Sequence, residues 1–252
     1  MKYYFSLFVF LIGFITIAQN NKLFEEGNTF YNNGKYSEAI AKYRAILDSG
    51  EHSAEVYFNL GNAHYKLNHI APSIYYFEKA LQLSPNDKDI KNNLAFARNM
   101  TIDAIEPVPE LGISKFFKQA VNLLSFDIWA LLSVVFMVLF VIFFLAYYFT
   151  HLTGNKRLNF LTSALSLFLT VIFLMFAFKK YSIEKTNKPA IVFAQESLVR
   201  TDPNFSGEEA FKLHEGTKVQ VLDTVNNWKR IKIADGKVGW IVSDDIKLLG
   251  EF

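Results

Sequence analysis

Two apolar runs near the middle of the chain constrain everything around them. Ile128–Phe149 holds 22 residues without a charge, and Leu158–Phe178 another 21. At about 1.5 Å rise per residue, each reaches roughly 32 Å as a helix, enough to cross a hydrocarbon core of about 30 Å. The eight residues between them, 150–157, include His151, Lys156 and Arg157. A pair this close predicts a transmembrane helical hairpin (128–149 and 158–178, joined by a cytoplasmic loop at 150–157), with one block of chain before it and one after. Polar side chains inside the runs include Ser133, Thr162, Ser163, Ser166 and Thr170. No ionisable group falls at mid-depth, where proton relays and ion pathways need one. Transporter and channel chemistry is excluded, and the hairpin reads as an anchor and a packing surface.

The address lies at the N-terminus. Residues 1–18 carry Lys2, then an uncharged stretch to Ala18, with Thr16-Ile17-Ala18 as an acceptable cleavage site. This is the pattern of a secretory signal peptide, with an uncleaved signal-anchor as the alternative. Either one exports the chain after about residue 20 and places the material beyond 178 on the same side. The charge count supports this orientation only weakly: Lys156 and Arg157 mark the loop, but Lys115, Lys118, Lys179 and Lys180 flank the other ends.

The block before the hairpin repeats. A shift of 34 residues lays Gly27 on Gly61, Asn28 on Asn62, Tyr31 on Tyr65, Ala39 on Ser73 and Tyr43 on Phe77. Small residues at a helix crossing, with an aromatic filling the space between copies, resemble the tetratricopeptide repeat, a helix–turn–helix unit. The resemblance implies repeats at 20–53 and 54–87 and a capping helix at 87–100, within a block spanning 20–100. Asn33-Gly34 and Asn68-His69 take the turns. Such repeats bind peptides on the face made by their first helices. The candidate groove is therefore Phe24, Asn28, Tyr31, Phe58, Asn62, Tyr65, Asn92 and Phe96. No Lys/Arg cluster falls there, so capture of a C-terminal carboxylate is disfavoured.

Residues 101–127 read as a connector stiffened by Pro107 and Pro109. A short amphipathic helix follows, capped by Ser114, with Phe116, Phe117, Ala120, Val121 and Leu124 on one side; it can lie in the headgroup layer. Trp129 sits where an interfacial aromatic is expected. After Pro189 the apolar period becomes two. Strands are expected at Ile191–Ala194, Leu198–Arg200, Phe211–Leu213, Lys218–Asp223, Trp228–Ile233 and Lys237–Val242, with turns at Asn226-Asn227 and Asp235-Gly236. The Glu215-Gly-Thr before a Val-rich strand and the Gly239-Trp240 near the end resemble bacterial SH3-like domains, which implies a small all-β barrel over 189–252. Arg200, Trp228 and Trp240 are its candidate ligand surface, the two tryptophans reading first as core.

Composition closes off other classes. A net charge of +2 offers no nucleic-acid footprint. The absence of cysteine excludes disulfides, thiolate metal sites and a Cys nucleophile. The five histidines never fall at metal-ligand spacing with a carboxylate, and no Walker loop, nucleophile elbow or dinucleotide fingerprint occurs. No enzyme, cofactor or metal is expected. The fold class is a multidomain membrane protein: α-helical tetratricopeptide solenoid, transmembrane hairpin and SH3-like barrel. That order of modules resembles the BatE-type proteins of bacterial aerotolerance operons. The resemblance implies an inner-membrane scaffold with both soluble blocks in the periplasm. Its implied partners are Bat-type von Willebrand A proteins and a MoxR-type ATPase. The rival expectation is a cell-wall sensor whose SH3-like module binds peptidoglycan.

Overall fold

A computed structural model describes residues 19–109 and 112–250, so the expected leader at 1–18 lies outside the described residues. The chain divides into two compact units, one combining residues up to Pro107 with those from Lys188, the other Val108–Asn187.

The first unit begins with five helices: α1 (19–32), α2 (Tyr36–Asp48), α3 (Ala54–Lys66), α4 (Ile70–Leu83) and α5 (Lys88–Arg98). Local chemistry sets their ends. Ser53 accepts from the Val56 amide to start α3, and Asp87 accepts from Asp89 and Ile90 to start α5. Gly34 at φ 74° and Asn68 at φ 57° make the turns inside each helix pair, where an ordinary side chain would be strained. At the crossings, a Cβ on Gly27 would stand 2.5 Å from the Tyr43 ring, and one on Gly61 2.6 Å from the Phe77 ring. Hydrogen at those positions is what lets α1 meet α2, and α3 meet α4, across a fully buried aromatic. Ser73 donates to the Gly61 carbonyl at 3.0 Å, so the one polar group buried at that crossing is satisfied.

The same unit contains seven strands, β1 (Pro189–Val192), β2 (Glu196–Arg200), β3 (Glu209–His214), β4 (Lys218–Val225), β5 (Trp228–Lys232), β6 (Val238–Val242) and β7 (Ile246–Leu248). They form one antiparallel sheet in the order β3-β2-β6-β5-β4-β1-β7. Ala190, Val192, Val199, Leu213, Val219, Val221, Ile231, Ile241 and Ile246 pack as its core. β7, absent from the strand pattern, lies in a run whose Lys247 breaks the apolar signal.

The two blocks of this unit are not separate modules. Ile191 and Leu249 belong to the same buried cluster as Ile74, Tyr75, Phe77 and Leu94 of the helices. A Cβ on Gly216, the turn before β4, would strike Ile74, Thr101 and Ile70 within 3.0 Å. Polar contacts rim this apolar contact. Glu78 accepts from Arg98 at 2.5 Å and from Lys218 at 2.7 Å, and Lys79 and Gln82 donate to the carbonyls of Gly250 and Leu249. The expected solvated connector is corrected by Asp103. Its carboxylate accepts from the His214 amide (2.7 Å), the His214 ring (2.7 Å) and the Thr217 hydroxyl (2.5 Å), while Ile105 packs on the sheet's core.

The second unit is α6 (Gly112–Asn122), α7 (Phe126–Phe149) and α8 (Thr153–Thr186). α6 starts at Gly112, so Ser114 lies inside its first turn and does not cap it. Ser125 caps α7 through the Ile128 amide. The helices overrun the apolar cores on which they were placed, and only Thr150–Leu152 remains between α7 and α8 where an eight-residue loop was expected. A helix continues past its last apolar residue as long as nothing breaks it, and Asn155, Lys156 and Arg157 do not. Besides Trp129, the buried residues along this pair are Ser133, Ser163, Ser166 and Ala177, small enough for close backbone approach. Ser163, Thr162 and Thr170 turn their hydroxyls back onto carbonyls of their own helix.

Candidate functional site

A cavity of about 210 Å³ opens on the face built by the first helices, lined by Tyr31, Asn62, Tyr65, Lys66, Phe77, Asn93 and Phe96. Of the expected groove residues it gathers Tyr31, Asn62, Tyr65 and Phe96. The others lie elsewhere. Phe24 and Phe58 turn inward against the rings of Tyr43 and Phe77, at 5.9 and 5.8 Å between centroids. Asn92 is exposed beside the cavity, one position from Asn93, which lines it.

Asn28 belongs to a ladder. Its Oδ1 accepts from Tyr43 OH at 2.7 Å and from Asn59 Nδ2 at 3.0 Å, and one repeat on, Asn62 Oδ1 accepts from Asn93 Nδ2 at 2.7 Å. Each amide on one helix is thereby oriented by the amide 31 positions later. Asn59 and Asn93 escaped the sequence reading, although the same 34-residue shift that exposes the repeat lays one on the other. Where Tyr43 stands in the first copy the second has Phe77, so Asn62 receives no phenol bond and keeps an acceptor lone pair for a ligand. Burial, followed by the charge of Tyr36, raises the Tyr31 pKa, and burial pushes Tyr43 to about 12 despite a hydrogen bond with Asn59 that works the other way. Both phenols therefore act as neutral donors. Lys66 is the only cation on the cavity's lining. Phe96 is 60% exposed at the open end.

The groove thus presents fixed amides, the phenols of Tyr31 and Tyr65 and an uncovered aromatic. Such a set can pair with a peptide backbone and take an apolar side chain. It contains no nucleophile–base pair. Among the described residues, no three His, Asp or Glu side chains come together as a metal set.

A second surface lies on the sheet. Arg200 is paired with Trp240 across β2 and β6, Arg230 with Trp240 and Trp228 with Val242 across β5 and β6. Residues directly opposite in an antiparallel ladder share a face, so Arg200, Trp228, Arg230 and Trp240 stand together on the side away from the Val/Ile core. The two tryptophans, both read first as core, differ in burial. Trp228 is buried, but under the exposed Phe205, whose ring meets it edge-on at 5.1 Å. Trp240 is half-buried. The Arg200 guanidinium donates to the Gly207 carbonyl at 2.6 Å, which fixes the loop that carries Phe205.

Elsewhere His64, stacked on Tyr76 at 5.4 Å, has a pKa lowered to about 4 by burial first and then by the charge of His69. It is a neutral ring in a helix–helix contact.

No curated protein matches the chain. Residues 24–88 match the family model described as a tetratricopeptide repeat, and residues 198–247 match that of a bacterial SH3 domain. The chain is therefore similar, over these two stretches, to two kinds of non-catalytic interaction module, joined by helices long and apolar enough to cross a membrane.

Proposed function

We propose that this chain is a non-enzymatic inner-membrane scaffold that presents its repeat groove to a partner protein in the periplasm. The observation that carries the reading is the asparagine ladder opening onto Phe96, a pre-oriented set of hydrogen-bonding groups beside an uncovered aromatic. An extended segment of a partner would lay its backbone on Asn62 and Asn93 and an apolar side chain against Phe96. The membrane part of the reading is supported by mean hydropathies of 3.0 and 2.3 in α7 and α8, with 11% and 17% of those windows buried. A core helix of a water-soluble protein would be mostly covered by its own chain. Both ends of Val108–Asn187 lead back into one compact unit, so two crossings keep that unit on a single side. The side itself follows from the leader pattern at residues 1–18. The resemblance to BatE-type proteins makes von Willebrand A-domain proteins of a Bat-type stress complex the candidate partners.

A photo-crosslinking residue at position 96 in intact cells tests this. The expected result is one discrete protein adduct that disappears in the Asn62→Ala, Asn93→Ala chain. No discrete adduct, or one indifferent to the two asparagines, would overturn the reading. A second reading, binding of peptidoglycan peptides, is favoured by the outward face of Arg200, Arg230 and Trp240 together with the bacterial SH3 match. Retention of the intact chain on murein fragments, lost in Trp240→Ala, would establish it.

A further inference from the structure

A helix that leads straight into a membrane span can be fixed at one depth, and α6 is. Its apolar residues Ile113, Phe116, Phe117, Ala120 and Val121 recur at helical spacing. Three contacts hold it to the hairpin. Trp129 Nε1 donates to the Val121 carbonyl at 3.0 Å, Lys180 Nζ donates to Asn122 Oδ1 at 3.1 Å, and Phe117 meets Phe176 edge-on at 5.5 Å. Phe176 and Lys180 bracket Phe178, the last residue of the second apolar run. α6 therefore sits at the level where hydrocarbon gives way to headgroups. At that level Ile113 (88%), Phe116 (73%) and Leu123 (76%) remain exposed.

The charge at this level is mostly positive. Lys115 and Lys118 lie on α6, and Lys179, Lys180 and Lys185 on the end of α8. The acidic residues of the described second unit are Asp127 and Glu184, and Glu184 is engaged by Lys180 at 3.4 Å. The opposite end of the hairpin has Lys156 and Arg157. In the orientation proposed above, the larger cluster falls on the exported side, against the usual topological bias. Those lysines need another reason to be there.

We propose that α6, the Leu123 that follows it and the end of α8 form a belt that selects anionic phospholipid headgroups, with Ile113, Phe116 and Leu123 inserted among the acyl chains and Lys115 and Lys179 on the phosphates. The assignment rests on the membrane reading. It commits to lipid because the exposed Ile113 and Phe116 share with Lys115 one helix whose depth is set by the adjoining span. Anionic lipid held there fixes the tilt of α6 and hence the exit path of the chain on either side of the hairpin.

Native mass spectrometry of the full chain in neutral detergent, with phosphatidylglycerol and phosphatidylcholine of matched acyl chains, reads the selectivity directly. Expected is a preference of at least about 25-fold for phosphatidylglycerol, falling about fivefold for each lysine removed in Lys115→Gln and Lys179→Gln. Lys156→Gln with Arg157→Gln should leave it unchanged. Equal binding of the two lipids, or a preference that survives the double substitution, would overturn the belt. Flotation with vesicles separates this from the reading beneath it. A chain that fails to float with vesicles of any composition has lost the membrane reading itself, whereas one that floats with all of them and prefers no headgroup has lost only the belt.

Discussion

Asp103 shows how much one side chain can organise. Burial raises its pKa, but the Thr217 hydroxyl, the His214 amide and the His214 ring outweigh burial and leave it below the usual value of 3.8. The sign follows. A carboxyl with a lowered folded pKa contributes stability that is complete above the unfolded value and is lost as pH falls through the folded one. The joint between helices and sheet should hold unchanged across the neutral range and loosen only in acid below about pH 4. Asp103→Asn should reproduce that acid state at pH 7, lowering stability by about 2 kcal/mol and flattening the acid limb of the unfolding curve. Thermal melts from pH 7 to pH 3 decide it, and a variant as acid-sensitive as the wild type would show that another group carries the effect. Gly61 makes a simpler case. A valine there places its Cβ inside the Phe77 ring, which cannot move because it is fully buried. Gly61→Val should destabilise by at least about 3 kcal/mol, read as a lower denaturant midpoint with an unchanged slope.

Among the elements, the repeat helices were legible because spacing carries their packing: Gly27, Gly61, Tyr43 and Phe77 are both the sequence signal and the contact. The groove was half legible for a related reason. Asn62, Tyr65 and Phe96 point the way that helical periodicity predicts, but one position on a helix turns a side chain by about 100°, and that separates the exposed Asn92 from Asn93 in the cavity. Phe24 and Phe58 were drawn inward by neighbours on the second helices, which no pattern on the first helices records. The sheet's outward face was only half legible, because a tryptophan in a strand satisfies the core pattern wherever it faces. What distinguishes the faces of Trp228 and Trp240 is register, a property of pairs of strands. α6 offers a test at this scale. Trp129→Phe keeps the ring against Phe173 and Phe176 but removes the bond to the Val121 carbonyl. The expected outcome is faster amide exchange in α6 alone, with α7 and α8 unaltered. Unchanged exchange in α6 would mean that Phe117 and Lys180 suffice to hold it.

For the molecule as a whole, the unforeseen fact is that helices and sheet share a core. No local pattern announces a contact between positions 171 residues apart, such as Lys79 with Gly250. Leu249 is 1% exposed and sits in the cluster of α4 and α5. Leu249→Ala should cost about 2–4 kcal/mol and should raise amide exchange in α4, far away in sequence, as much as in β1 and β7. Exchange that rises in the strands only would show two independently stable domains.

That shared core also places the protein's assembly in time. Lys79, Gln82 and Ile74 have left the ribosome long before the residues that cover them exist. At roughly 5–20 residues per second, the wait is on the order of ten to thirty seconds. Two long apolar helices must be synthesised and accommodated in between. Throughout that interval the second repeat stands with one side open, a temporary client for whatever holds unfinished chains, and only the arrival of β1 and the segment after β7 closes it.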